Sequence, residues 1–194
     1  MQYDPIKRSL GNVFNRSVFL RRLFYNLLDL LLLRTWHIKK ELNRISKTPA
    51  GFESILDAGS GFGQYDYYLS KRFPQAKILG LDVKSEQVED CNNFFTKLDK
   101  PNVSFQTADL AAIDFRDQFD LVLCVDVMEH IEEDRKVLAN YCNALRKGGV
   151  LLISTPSDQG GSDVHHHDDH HDGAVGFIDE HVRDGYAIAD LKEK

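Results

Sequence analysis

Gly59, Gly61 and Gly63 alternate in the stretch SILDAGSGFGQYDYYLS (residues 54–70), two residues after Asp57, which itself follows the apolar pair Ile55–Leu56. Glycines at a sharp strand-to-helix turn accept positive φ and let backbone amides approach a ligand with no Cβ in the way. Several nucleotide-type ligands use such loops. A dinucleotide asks for G-x-G-x-x-G/A, with its third small residue packed against the helix and a pyrophosphate at the helix N-terminus. Here the spacing is G-x-G-x-G, and Gln64 stands where that motif has Gly or Ala. An acid two residues before the first glycine sits badly beside a pyrophosphate. It suits a ligand carrying an ammonium group, and S-adenosylmethionine has that ammonium, a sulfonium and no phosphate.

Two further acids extend the pattern. In KILGLDV, Asp82 closes a second apolar run nineteen residues after Gly63. An acid about that far on, at a strand tip, accepts hydrogen bonds from ribose hydroxyls. In FQTADL, Asp109 closes a third run, where it can receive an adenine amino group. A solvated aspartate at one strand end is unremarkable; three at successive tips beside a glycine loop are not.

The elements that must hold these residues alternate from residue 53 onward. SILDA, AKILGLDV, VSFQTADL, FDLVLCVDV and GVLLISTP read as strands, continuous enough in apolar content to be buried on both faces of a parallel sheet. Helices are predicted over Gln64–Arg72, Ser85–Lys97 and Glu132–Arg146, the last opening on Glu132, Glu133 and Asp134 and closing on LRKGG. The alternation gives a doubly wound α/β sheet.

At 194 residues, with 42% hydrophobic and 28% charged residues, the chain reads as one soluble α/β unit. Its net charge of −6 is uneven: residues 1–50 carry ten Lys/Arg against three Asp/Glu, a net of +7, and the rest carries −13. So acidic a body disfavours nucleic acid. Cys91, Cys124 and Cys142 show no paired or metal-type spacing, which with the lack of a signal-peptide pattern predicts a reducing, cytoplasmic setting. The stretch LFYNLLDLLLLRTW (Leu23–Trp36) is too short and too interrupted to span a membrane. Leu20, Leu23, Phe24, Leu27, Leu28 and Leu31 follow the spacing of one helical face, predicting an amphipathic helix docked on the domain. The alternative is a helix lying on a membrane as a peripheral contact.

LDAGSGFG, ILGLDV, TADL and FDLVLCVDVMEHIEEDRKVLANYCNALRKGGVLLISTP together resemble the class I S-adenosylmethionine-dependent methyltransferases, in their small-molecule branch, over residues 53–156. The resemblance implies a Rossmann-like doubly wound sheet and S-adenosyl-L-methionine as cofactor. Asp57, Gly59, Ser60, Gly61 and Gly63 would hold its methionine portion, Asp82 and Val83 the ribose side. Asp109 with the Leu110 backbone would meet the adenine, and Val125–Asp126 would lie under the methionyl end. The acceptor implied is a small molecule or a lipid-linked precursor; a cofactor-binding module without turnover is the alternative. The family's C-terminal strand hairpin is missing from the pattern, which shows five strands and then the entrance to a helix.

Several further residues carry expectations. His130, after the fourth strand, is a candidate general base, or else braces the following helix. His181 and Arg183 resemble a segment bordering the acceptor, and Trp36 and His37 are candidates to cover the cofactor. The His- and Asp-rich stretch from His165 to Asp172 reads as an exposed loop without a functional metal site, because adjacent histidines do not converge on one ion. The chain thus divides into an N-terminal amphipathic helical segment (1–50), a cofactor-binding core (51–156), that loop (157–176) and the start of a helix (177–194).

Overall fold

The structure is a computed structural model that describes residues 17–46, 51–158, 182–183, 185–187 and 189–190. Five parallel strands form one sheet: β1 (Ser54–Ala58), β2 (Lys77–Asp82), β3 (Val103–Thr107), β4 (Phe119–Val125) and β5 (Leu145–Ser154). Their spatial order is β3-β2-β1-β4-β5. In-register pairs such as Leu56 with Leu79 and with Val122 run through the apolar centre of the strands. Strand order reverses between β1 and β4, so the loops after these two strands splay apart and leave room at their carboxyl ends.

Two apolar cores lie on opposite faces. One joins Ile55, Ile78, Leu121 and Leu123 to the N-terminal helices and the helices that follow β1 and β2. The other joins Leu56, Leu81, Val122 and Cys124 to Val137, Tyr141 and Tyr186. The chain covers the first face with α1 (Val18–Leu31), α2 (Leu33–Ile45), α3 (Gln64–Arg72) and α4 (Ser85–Lys97), and the second with α5 (Asp134–Ala144). Among the described residues, no helix is long and apolar enough to cross a membrane.

Helices α3 and α4 begin and end where the sequence predicts. The third predicted helix stops two residues early, at Ala144, because Leu145 turns extended (φ −73°, ψ 139°) and pairs with Phe119. A register shift after that pair absorbs the Lys-Gly-Gly stretch before β5 resumes at Val150 opposite Leu121.

The N-terminal segment departs most from expectation. It is two helices, broken where Leu32 adopts an extended conformation (φ −98°, ψ 107°). The docked face of α1 is rotated from the predicted stripe, of which Leu20, Phe24 and Leu28 are half-buried and Phe24 packs on the core. Arg21 and Tyr25 are its buried residues, whereas Leu23, Leu27 and Leu31 stand in solvent. Directional polar bonds fix this rotation: Arg21 bonds Asp90 at 2.5 Å and Phe62 O at 2.7 Å, and Arg22 bonds the Tyr67 hydroxyl at 3.0 Å. Gln64 Nε2 donates to Asp29 at 3.0 Å, so the residue that spoils a dinucleotide motif helps dock α1.

Candidate cofactor and acceptor site

After β1 the chain crosses the strand ends through residues 59–63. The amides of Gly59 and Ser60 both donate to Leu81 O of β2 at 2.8 Å, pinning the loop across the sheet edge. Gly59 has φ +90°, and a Cβ there would stand 2.2 Å from Val127 Cγ2 in the loop after β4. Gly61 has φ +53° and nothing within 4 Å of its absent Cβ. The first glycine is thus demanded by packing; the second leaves bare backbone facing open space. Gly63 then supplies the N-cap of α3.

Beneath this loop sit polar atoms with no partner. Asp57 Oδ2, Ser60 Oγ and both Asp66 carboxyl oxygens are buried without hydrogen bonds to ordinary donors. Buried orphans are rare in folded proteins and call for an explanation. The Asp57 and Asp66 carboxyls, one at the end of β1 and one in the first turn of α3, lie within hydrogen-bonding reach of each other. Burial pushes the Asp57 carboxyl up to about 7; a hydrogen bond from Asp66 lowers it, and the Asp82 charge raises it. Asp66 is held well above the carboxylate range by burial and by the Asp57 charge. Two buried carboxyls this close therefore keep a proton between them at neutral pH. A positive group at Asp57 would favour the anion there.

At the tip of β2, Asp82 Oδ2 accepts from Gly61 N at 2.9 Å and Oδ1 from Lys84 N at 2.8 Å. Each oxygen keeps a lone pair for a diol. Asp82 thus also shapes the glycine loop, a second role the sequence reading did not foresee. Val83 beside it is exposed. Asp109 is exposed at the end of β3, where its Oδ1 accepts from Ala111 N at 2.9 Å; Leu110 next to it is buried. Asp57, the glycine loop, Asp82 and Asp109 thus line the carboxyl ends of three neighbouring strands.

A second hollow of about 290 Å³ opens at the ends of β4 and β5, lined by Arg34, His37, Asp126, Ser154, Thr155 and Pro156. Asp126 follows Val125 in the left-handed region (φ +51°), and its amide donates to Ser154 O at 2.8 Å. Its carboxylate pairs with the Arg34 guanidinium from α2. Sequence reasoning missed Arg34 and Asp66. Arg34 and His37 do share a face at i, i+3, but nothing in the sequence points that face at β4. Asp66 looks like an ordinary first-turn acid, and its burial comes from tertiary packing. Trp36, paired with His37 in the sequence reading, does not line the hollow and is 55% exposed.

His130 ends a 3-10 turn (Met128–His130), exposed and outside the lining of this hollow. Its neighbour Glu129 is buried and accepts from Thr155 Oγ1 at 3.2 Å. Arg183, expected beside the acceptor, is bonded to Asp134, to the Tyr186 hydroxyl at 2.7 Å and to Ile131 O at 2.6 Å. Those bonds clamp the chain near residue 183 onto the start of α5. His181 and the His165–Asp172 stretch lie outside the described residues. Buried Cys91 and Cys124 have thiols pushed up to about 12 by burial, which removes both as nucleophiles at neutral pH.

Comparison with known proteins gives a consistent picture. A trans-aconitate 2-methyltransferase from Deinococcus radiodurans is 28% identical over 107 residues, which cover 55% of this chain and 39% of the relative. The chain spans about two-fifths of the length of the curated relatives it matches. Among solved structures, the YcgJ protein from Bacillus subtilis is 25% identical with a TM-score of 0.53, over 60% of this chain and 49% of that one. A phosphoethanolamine N-methyltransferase from Haemonchus contortus, solved with S-adenosyl-L-methionine, shares the fold at 21% identity and a TM-score of 0.55, over 62% of this chain and 28% of that one. The profile of the family described as "Methyltransferase domain" matches residues 52–184. The chain belongs to that family and, with it, to the class I S-adenosylmethionine-dependent methyltransferases.

Proposed function

We propose that this protein binds S-adenosyl-L-methionine across the ends of β1, β2 and β3 and methylates a small-molecule or lipid-linked acceptor held at the ends of β4 and β5. The observation that carries the reading is the pair of orphaned polar atoms, Asp57 Oδ2 and Ser60 Oγ, beneath a glycine loop whose Gly61 backbone faces open space. An ammonium and a carboxylate are the kind of groups that would satisfy such atoms and amides. When bound, the cofactor supplies an electrophilic methyl on a sulfonium. The chain's own part is positional: Asp57 and residues 59–63 fix the amino-acid end, Asp82 the ribose, and Asp109 with Leu110 the adenine. In-line displacement gains most of its rate from such fixing. Arg34, His37 and Asp126 border the space left for the acceptor. Where the acceptor must lose a proton, His37, which lines that space, is the candidate base among the described residues. Three free thiols support a reducing, cytoplasmic setting.

Titration calorimetry with S-adenosylmethionine, its demethylated product and NAD tests the cofactor assignment. Saturable binding of the first two and none of NAD is expected; absence of heat with both overturns it. Transfer of labelled methyl to a panel of small carboxylic acids, phenols and amines then separates an enzyme from a binding module. Tight binding with no transfer to any of them favours the module.

A further inference from the structure

We propose that the outward faces of α1 and α2 form a docking surface for an anionic membrane, on which the protein lies by its N-terminal helices. This goes beyond methyl transfer and does not depend on it. The starting observation is the inverted packing of α1. Arg21, 2% exposed, and Tyr25, 1% exposed, point into the domain and bond to Phe62 O, Asp90 and Cys91. That rotation turns one row of large apolar residues outward, while Leu20, Phe24 and Leu28 stay half-buried. Phe19, Leu23, Leu27 and Leu30 recur every three or four residues on the solvent side, with exposures from 46% to 81%. Across the break at Leu32 the same character continues on α2 with Leu33 at 79% and Trp36 at 55%. A monomeric soluble protein seldom shows so many large apolar side chains together.

Charge selects the occupant. The two acids on these helices are neutralised locally, Asp29 by Lys39 and Glu41 by Arg44. Exposed Arg22 and Lys40 remain, the latter with its ammonium 5.1 Å from the Trp36 ring. The segment carries +7 against −13 for the rest of the chain, so only this end is drawn to anionic lipid. Leucine and aromatic residues on one face with cations at its rim are the composition of helices that lie in the headgroup layer. A second copy of the chain is the poorer occupant, since α1 and α2 carry six Lys/Arg against two Asp/Glu and pairing these faces would set +4 against +4. The 159–176 stretch is mostly Gly, Asp, His and Ser, and its Val164, Ala174 and Val175 are too few and too small to cover the face. Because α2 also supplies Arg34 and His37 to the hollow beside β4 and β5, a membrane under Leu33 and Trp36 would border that hollow.

The single tryptophan, Trp36, reports directly on the contact. The full chain is mixed with vesicles of phosphatidylcholine alone, or of phosphatidylcholine and phosphatidylglycerol in equal parts, and floated on a density gradient. Flotation with the anionic vesicles, a blue shift of Trp36 emission and weakening by salt are expected. The Leu23→Gln, Leu30→Gln double variant should lose vesicle affinity by roughly tenfold or more with its melting temperature unchanged, because both side chains stand in solvent. Three results overturn the proposal. One is no flotation and no blue shift from a monomeric parent. Another is no flotation from a concentration-dependent dimer that the double variant dissociates, which assigns the face to a second copy. The last is a marked fall in melting temperature of the double variant without flotation of the parent, which assigns the face to another part of this chain.

Discussion

Replacing Asp66 by asparagine should make the protein more stable, and more so as pH rises. The native pair Asp57–Asp66 is buried and keeps a proton that the unfolded chain loses near 3.8. A carboxyl raised on folding contributes its full stability below its unfolded value and forfeits it as pH climbs through its folded value. For Asp57 the span runs from 3.8 to about 7, which corresponds to about 4 kcal/mol forfeited by neutral pH. Asp66 is raised further and shares that loss, so the two are not independent. Asp66→Asn sets a neutral amide beside Asp57 that never ionises, so the Asp66 share of the loss disappears, while burial still holds Asp57 above the ordinary carboxylate range. Allowing half of the ledger for water entry and relaxation, the variant should gain about 2 kcal/mol at about pH 8, or roughly 4–8 °C in melting temperature. At about pH 4.5 the gain should shrink below about 1 kcal/mol, because that pH lies less than one unit above the unfolded value of 3.8 and little of the linkage has accumulated. Scanning calorimetry at the two pH values measures both figures. An equal gap at both, or a variant less stable than the parent at the higher pH, refutes the shared proton.

Asp82→Ala should weaken S-adenosylmethionine binding about tenfold to several-hundredfold by calorimetry, since charge-assisted bonds to a diol are each worth roughly 1.5–3 kcal/mol. It also frees the Gly61 and Lys84 amides that Asp82 now holds, so faster hydrogen exchange at residues 59–63 should accompany the loss. Gly59→Ala drives a Cβ into Val127 at a positive φ and should cost roughly 2–4 kcal/mol in urea unfolding; a cost under about 0.5 kcal/mol would mean the loop has room to move. Arg183→Leu leaves Asp134, only 7% exposed, without its guanidinium, and should cost roughly 2–4 kcal/mol. If it instead abolishes methyl transfer with unchanged stability, Arg183 serves the acceptor.

The strands, α3 and α4 were legible because each carries its own signal: apolar runs between turn residues, and amphipathic stretches that fill the gaps between those runs. The strand-tip acids were legible for the same local reason. The rotation of α1 was not. Periodicity tells which residues share a face but not which face meets the protein, and here the answer came from Phe62 and Asp90, 41 and 69 positions away in the chain. The Leu face outweighs Arg21 and Tyr25 in any local count, yet two residues with directional bonds decide the docking. Asp66 and Arg34 were hidden for a related reason, since a first-turn acid and a helical arginine are ordinary until tertiary packing buries one and aims the other at Asp126.

The carbonyl of Phe62 sits between Gly61 and Gly63, and it is held from outside the α/β core by the Arg21 guanidinium and the Tyr25 hydroxyl. The glycine loop is therefore a keystone set by two separate parts of the chain: the sheet fixes its start through Leu81, and α1 fixes its far side. A fragment beginning at residue 51 would retain every strand-tip acid and all three glycines, yet lack the clamp that orients the peptide between two of them. The smallest heritable unit of the site is then the core together with its N-terminal helices, and a graft of residues 51–156 onto another leader would have to bring a replacement for Arg21.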